Sequence, residues 1–216
     1  MPQEDVAVEI VLADLVKRGL TSLKMDLLQE HIDKLVQYIG LLMKWNKVYN
    51  LTAIREPERM VSHHIMDSAS VLPYLPSKDV LDVGTGPGLP GIPLAILRPT
   101  SRVTLLDVIQ KKAAFLRQAA GELDLRNVDV VCERVESWNT DRRFPVITSR
   151  AFSELADFVR SAEHLLEEGG RFAAMKGVFP KDEIDRLPSG FHVESVIELR
   201  VPGIDAQRHL VMIGRS

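Results

Sequence analysis

The chain holds a single cysteine, Cys132, in 216 residues. Neither an intrachain disulfide nor a cysteine-based zinc site can form from it. Charge of one sign is also missing: 27 Lys+Arg stand against 30 Asp+Glu, a net of −3. Nor is the charge segregated. Residues 1–60 carry 8 basic and 9 acidic side chains, residues 61–140 carry 8 and 9, and residues 141–216 carry 11 and 12. A basic arm or an acidic tail is thereby excluded, and the basic excess usual in nucleic-acid domains is absent. A basic cleft assembled by folding is not excluded. No apolar run approaches the ~20 residues that cross a bilayer. The first residues, MPQEDVAVEI, lack the basic-then-apolar layout of a secretory signal. The expectation is a soluble cytoplasmic monomer with no membrane association. What is present, 45% hydrophobic and 26% charged residues with 13 Gly and 12 Pro, suits one folded domain with an appendage.

Residues 1–76 read as a helical cap. Val6, Ile10, Val11, Leu15 and Val16 form a short amphipathic stretch that Gly19 is placed to terminate. Ser22 is a candidate N-cap for a longer helix. Its stripe, Leu23, Leu27, Leu28, Ile32, Leu35, Val36, Ile39, Leu42 and Met43, recurs every three or four residues. Pro57 suits a first helical position and opens a third helix expected to reach about Leu72.

From Lys78 the rhythm changes. Strands are expected at Asp79–Val83, Arg102–Leu106, Val128–Val131, Phe144–Ser149 and Arg171–Lys176. Helices fall between them at Pro93–Leu97, Lys111–Leu123 and Glu154–Glu167, the last ended by Gly169-Gly170. Alternation of this kind implies a parallel, doubly wound sheet. Phe191, Val193, Ile197, Leu199 and Val201, then His209–Ile213, read as a closing pair with an antiparallel strand. The expected fold is α/β, a mostly parallel seven-stranded sheet with helices on both faces. It occupies residues 77–216, with the helical extension before it.

The first strand runs into Asp82-Val83-Gly84-Thr85-Gly86-Pro87-Gly88-Leu89-Pro90-Gly91. Gly86, Gly88 and Gly91 satisfy the dinucleotide pattern G-x-G-x-x-G. The frame fitted to the strand is different: Gly84-x-Gly86-x-Gly88, with Asp82 two residues before it. That arrangement resembles the first motif of Rossmann-type S-adenosylmethionine (SAM) methyltransferases. A carboxylate near a sulfonium cation has an electrostatic rationale that one facing a pyrophosphate lacks. Asp107 ends the second strand, 23 residues after Gly84. It suits an acceptor for ribose hydroxyls or a helix N-cap and turn residue.

The resemblance narrows with the segments around the loop. Leu81 to Ile96, Asn50-Leu51-Thr52-Ala53-Ile54 and His64-Ile65-Met66-Asp67-Ser68 are similar to motifs of the bacterial RsmG (GidB) family. So are Ser149-Arg150-Ala151-Phe152, Lys176-Gly177 and Arg208-His209-Leu210-Val211, in the family's order. The resemblance implies methylation of N7 of one guanine in 16S (small-subunit) ribosomal RNA with SAM as cofactor. The partner would be that RNA or the 30S particle. It also implies cofactor contacts at Gly84, Leu89, Val135, Glu136 and Arg150, beside Gly86 of the loop and Asp107. From the residues alone, a cation after strand four suits three roles: pairing with the cofactor's carboxylate, gripping RNA phosphate, or bridging to Asp or Glu.

Guanine N7 carries an in-plane lone pair and no proton at neutral pH, so its methylation needs alignment rather than a general base. The sequence fits this by what it lacks. The segment Ile147-Thr148-Ser149-Arg150-Ala151-Phe152 has no Asn/Asp-Pro-Pro-aromatic motif of the kind that supports exocyclic amines. Cys132 reads as a small apolar residue of the third strand, not a nucleophile. Arg150 and Lys176 are the candidate catalytic residues. Lys176, Arg208 and His209 are candidates for gripping RNA. His63, His64 and Asp67 share a helical face but suit a His64–Asp67 hydrogen bond better than a metal site, and no metal is expected. Lys44, Lys47, Arg55 and Arg59 beside Trp45 and Tyr49 suit a solvated face or an RNA contact. The rival functions are small-molecule methylation, an NAD-dependent oxidoreductase using Gly86, Gly88 and Gly91, and a non-catalytic RNA-binding module.

Overall fold

The computed structural model describes residues 3–26, 28–150, 152 and 154–216. Leu27 of the apolar stripe and Ala151 of the fourth-strand motif lie outside the described residues. Two long helices, α1 (Gln3–Ser22) and α2 (Gln29–Tyr49), open the chain. Gly19 does not terminate α1. A Cβ placed on it would come 2.3 Å from Met66 Sδ, so the glycine lets α1 lie close to the segment around Met66. Ser22 ends α1 rather than capping α2. The break follows at Lys24, whose φ is +56°, and extended Leu28 precedes α2. The stripe of α2 is buried at Ile32, Leu35, Ile39 and Leu42, and so is Tyr38, on the same face between Leu35 and Leu42.

The third helix is not uniform. α3 (Pro57–Met60) passes into a π-helical segment (Val61–Met66) and then α4 (Asp67–Ala69). Pro57 takes the first turn as expected.

Among the described residues the strands are β1 (Val80–Val83), β2 (Val103–Leu106), β3 (Val128–Val131), β4 (Phe144–Arg150), β5 (Leu166–Lys176), β6 (Phe191–Glu198) and β7 (His209–Arg215). They lie in the order β3-β2-β1-β4-β5-β7-β6. β1 to β5 pair in parallel, and β7 runs antiparallel between β5 and β6. The intervening helices are α5 (Gly91–Leu97), α6 (Gln110–Glu122), α7 (Leu155–Ala162) and α8 (Lys181–Ile184). The helix expected over residues 154–167 gives way earlier. After α7 comes a 3₁₀ turn (Glu163–Leu165), and β5 already begins at Leu166, paired with Phe144. Gly169, at φ +71°, and Gly170 sit inside β5. A Cβ on Gly170 would meet the Glu167 carbonyl at 2.9 Å, so these glycines admit a register irregularity rather than stop a helix.

Alternate residues of the central strands enter two cores, as the period of two requires. Val80, Val103, Leu105 and Val146 join Leu35, Ile92 and Phe115 on one face. Leu81, Leu106, Ile147 and Phe172 join Phe158 and Val159 of α7 on the other. α1 and α2 contribute Leu12, Val16 and Leu20 with Ile32 and Ile39 to the first of these cores. The strand order reverses between β1 and β4. Open α/β sheets bind ligands outside the carboxyl ends of the strands at such a point, and here those ends carry Gly84 and Arg150.

Candidate active site

The loop after β1 is tied from beneath. Asp82 is fully buried, and its Oδ2 accepts bonds from Thr85 Oγ1 at 2.5 Å and the Gly91 amide at 2.8 Å. The carboxylate thus staples both ends of the glycine loop instead of standing free beside a cation. Its Oδ1 is buried with no partner among the described residues. Burial raises the pKa to about 7 even though the Thr85 and Gly91 bonds and Arg150 pull it down. Tyr38 braces the loop from α2, its hydroxyl donating to the Pro87 carbonyl at 2.8 Å. Nothing in the sequence marks Tyr38 as a loop brace: it shares the buried face of Leu35 and Leu42, and its partner lies 49 residues away.

The four glycines divide into two pairs. Added Cβ atoms on Gly88 and Gly91 would come 2.4 Å from Ile92 Cγ1 and 2.1 Å from Leu105 Cδ2, so these two allow the loop and α5 to pack. Gly84 and Gly86 have φ of +66° and +61°; a Cβ on Gly84 would meet nothing within 4 Å, and one on Gly86 only atoms at 4.0 Å. The outer side of the loop is therefore open backbone. Leu89 is buried behind it. Asp107 takes the turn role: its Oδ1 accepts from the Ile109 amide and its Oδ2 from the Gly86 amide, both at 2.9 Å, with Lys112 Nζ at 3.5 Å. Val135 is buried in a 3₁₀ turn after β3, and Glu136 beside it is exposed at the same sheet edge. Cys132 lies just past β3, half-buried, not within the strand.

A cavity of about 610 Å³ opens between the helical segment and the ends of β4, β5 and β7. Arg150 Nη1 donates to the His63 carbonyl at 2.9 Å and to Asp67 Oδ2 at 3.2 Å. Arg208 Nε donates to Asp67 Oδ1 at 3.1 Å. One buried carboxylate thus holds two guanidiniums, each with about a quarter of its side chain exposed. Of the roles open to Arg150, the bridge to an acidic residue is the one formed here. Lys176 Nζ donates to the Phe152 carbonyl at 3.0 Å and pairs with Glu183 Oε2 at 2.7 Å. His209 Nδ1–H donates to the Gly177 carbonyl at 2.8 Å.

The expected His64–Asp67 bond is not made. The π turn between them changes the spacing that brings i and i+3 together on an α-helix. His64 Nε2 pairs instead with Thr52 Oγ1 at 2.9 Å, and Nδ1 has no partner among the described residues. Burial first and Arg150 second depress its pKa to about 4, so the ring is neutral. Among the described residues no group of His, Cys, Asp and Glu is placed to hold a metal ion. No described helix is long and apolar enough to cross a membrane. Lys44, Lys47, Arg55 and Arg59 are exposed, while Trp45 turns half inward, 5.5 Å from the Phe115 ring.

The fold has counterparts among solved structures. The glycopeptide N-methyltransferase MtfA, solved with S-adenosyl-L-homocysteine, is similar at TM-score 0.61 and 17% identity over 71% of this chain and 87% of its own. A SAM dependent methyltransferase from Aquifex aeolicus is similar at TM-score 0.56 and 20% identity over 76% and 96%. At the level of sequence, ribosomal RNA small subunit methyltransferase G from Laribacter hongkongensis is 54% identical over 203 residues, 94% of this chain and 98% of that protein. The GidB family model, described as rRNA small subunit methyltransferase G, matches residues 31–211. The chain therefore belongs to the rRNA small subunit methyltransferase G family.

Proposed function

We propose that this protein transfers a methyl group from SAM to N7 of a guanine in small-subunit ribosomal RNA, free or within the 30S particle. In this reading it acts in the cytoplasm as a monomer. Residues 77–216 are the transferase unit, and residues 1–76 are a cap that walls its substrate cavity. The observation that carries the proposal is Arg150. It stands at the strand-order reversal, between the open glycine loop and a cavity that holds a second guanidinium, Arg208.

The residues fit SAM where the loop is open. The free outer side of Gly84 and Gly86 accepts close approach of an amino-acid tail. Asp107, Val135 and Glu136 line the same sheet edge, where a nucleoside would lie. When bound, SAM supplies an electrophilic methyl on a sulfonium. The chain's own task is then alignment, since N7 offers its lone pair without deprotonation. Guanine presents N7 and O6 as acceptors on one edge. With N7 reserved for the methyl group, a guanidinium donating to O6 fixes the base. Arg150 takes that part in this reading, with Arg208 and Lys176 for phosphate. Asp67 sets the direction of both guanidiniums.

The test is incubation with tritiated SAM and 30S subunits or 16S RNA prepared without the modification, then chemical strand scission at N7-methylguanine. We expect one labelled guanine. Label found only in small molecules of a metabolite extract, or on an exocyclic amine, overturns the reading. Calorimetric titration should find SAM bound and NAD not.

A further inference from the structure

We propose that Phe179, on the loop between β5 and α8, is a stacking platform for a base of the RNA substrate next to the methylated guanine. The inference rests on the reading that RNA enters the cavity beside Arg150. Phe179 is 50% exposed, although the chain around it has a core to join. Ile184 and Leu187, a few residues on, pack against the cluster of Phe158 and Phe172, and Phe179 belongs to neither core.

Its exposure is held in place. Lys176 is joined to Glu183 at 2.7 Å across the loop, and Glu183 also accepts the Leu155 amide at 2.8 Å. The Lys181 amide donates to the Phe179 carbonyl at 3.1 Å. The ring itself stands edge-to-face with His209, centroids 5.8 Å apart at 83°, and His209 is fixed by its bond to the Gly177 carbonyl. Gly177 and His209 line the cavity that holds Arg150 and Arg208. A half-bare aromatic ring seated on a residue that lines a cation-bearing cavity is the pairing that single-stranded nucleic acid binds: cations for the backbone, a ring face for the base. An apolar protein partner would want a broader surface. Here only Val178, 73% exposed, lies beside the ring in sequence.

Stacking should show in substrate binding and depend on a flat ring. Phe179→Ala and Phe179→Leu should each raise KM for undermethylated 30S subunits by roughly tenfold, with kcat and the KM for SAM unchanged. Phe179→Tyr should stay near the original, and so should Val178→Ser. A short single-stranded RNA carrying 2-aminopurine should be quenched by the original protein and the Tyr variant but not by the Ala and Leu variants. A Leu variant as good as the original would mean apolar packing alone and overturns the proposal. So would a Val178→Ser loss equal to that of Phe179→Ala, which would assign the effect to the loop's shape. An original protein that methylates 30S subunits while Phe179→Ala changes nothing overturns the stacking alone. One that methylates no ribosomal RNA overturns the reading beneath it.

Discussion

Asp67 joins guanidiniums that lie 83 and 141 residues away along the chain. Sequence spacing points it at His64, three residues before it, and only the π turn and the strand order reveal its true partners. Removing its carboxylate leaves two cations facing each other in the cavity. Asp67→Ala is expected to lower kcat/KM by about 10- to 100-fold, since it disturbs alignment rather than chemistry. It should also cost on the order of 3 kcal/mol in urea unfolding, the usual scale for breaking a buried pair. A second residue-scale effect involves His64 and Asp82. His64, depressed to about 4, binds a proton more readily unfolded than folded between pH 4 and 6.5, so it makes stability rise with pH there. Asp82, raised to about 7, binds its proton more readily folded, so across pH 4 to 7 it makes stability fall as pH rises. The two slopes oppose each other. His64→Gln should therefore uncover the Asp82 slope and make the protein more stable at pH 5 than at pH 7, by roughly 2 kcal/mol. Denaturant unfolding at the two pH values reads this directly, and a flat profile in the variant would refute it.

The glycine loop and the strands around it were legible because their signals are local. A strand running into Gly84-x-Gly86-x-Gly88 states its own geometry, and the strands expected in the chain are found as strands of one sheet. Gly19, Ser22 and the pair Gly169-Gly170 were misleading for a shared reason. The glycines read as local stops and Ser22 as a local start, but the glycines serve contacts with Met66 and with Glu167 and Phe144, which no local pattern encodes. At the candidate site the same division holds. Gly84 and Asp107 were read from strand ends and Arg150 from the family resemblance, while Tyr38 and Asp67 act through partners on other elements. The two glycine classes of the loop should separate experimentally. Gly84→Ala adds a Cβ into open space at φ +66°, so its stability cost should be only about 1 kcal/mol of left-handed strain. SAM affinity measured by calorimetry should nevertheless fall sharply. Gly91→Ala drives a Cβ to within 2.1 Å of Leu105 and 2.8 Å of the Asp82 carboxylate. There the main loss should be in stability, about 1–3 kcal/mol from overpacking, seen as a lowered Tm.

At the scale of the whole molecule the charge decides how RNA is met. The net of −3 is spread evenly, and the cations at the cavity are already engaged: Arg150 and Arg208 share Asp67, and Lys176 is paired with Glu183. Such a protein projects little attraction at a distance. Its affinity must come from shape, from stacking and from a few short contacts made after docking. If Arg150 meets the base and Lys176 and Arg208 meet phosphate, two phosphates are neutralised, and log affinity should fall against log salt with a slope of about −1.5. Filter binding of 16S RNA across a salt series measures this. A slope of about −6 or steeper would require cations outside the cavity. The exposed face of Lys44, Lys47, Arg55 and Arg59 would then become part of the RNA surface rather than a solvated helix side. Reversing two of those charges, Lys44→Glu with Lys47→Glu, should leave the slope and KM unchanged if recognition is confined to the cavity.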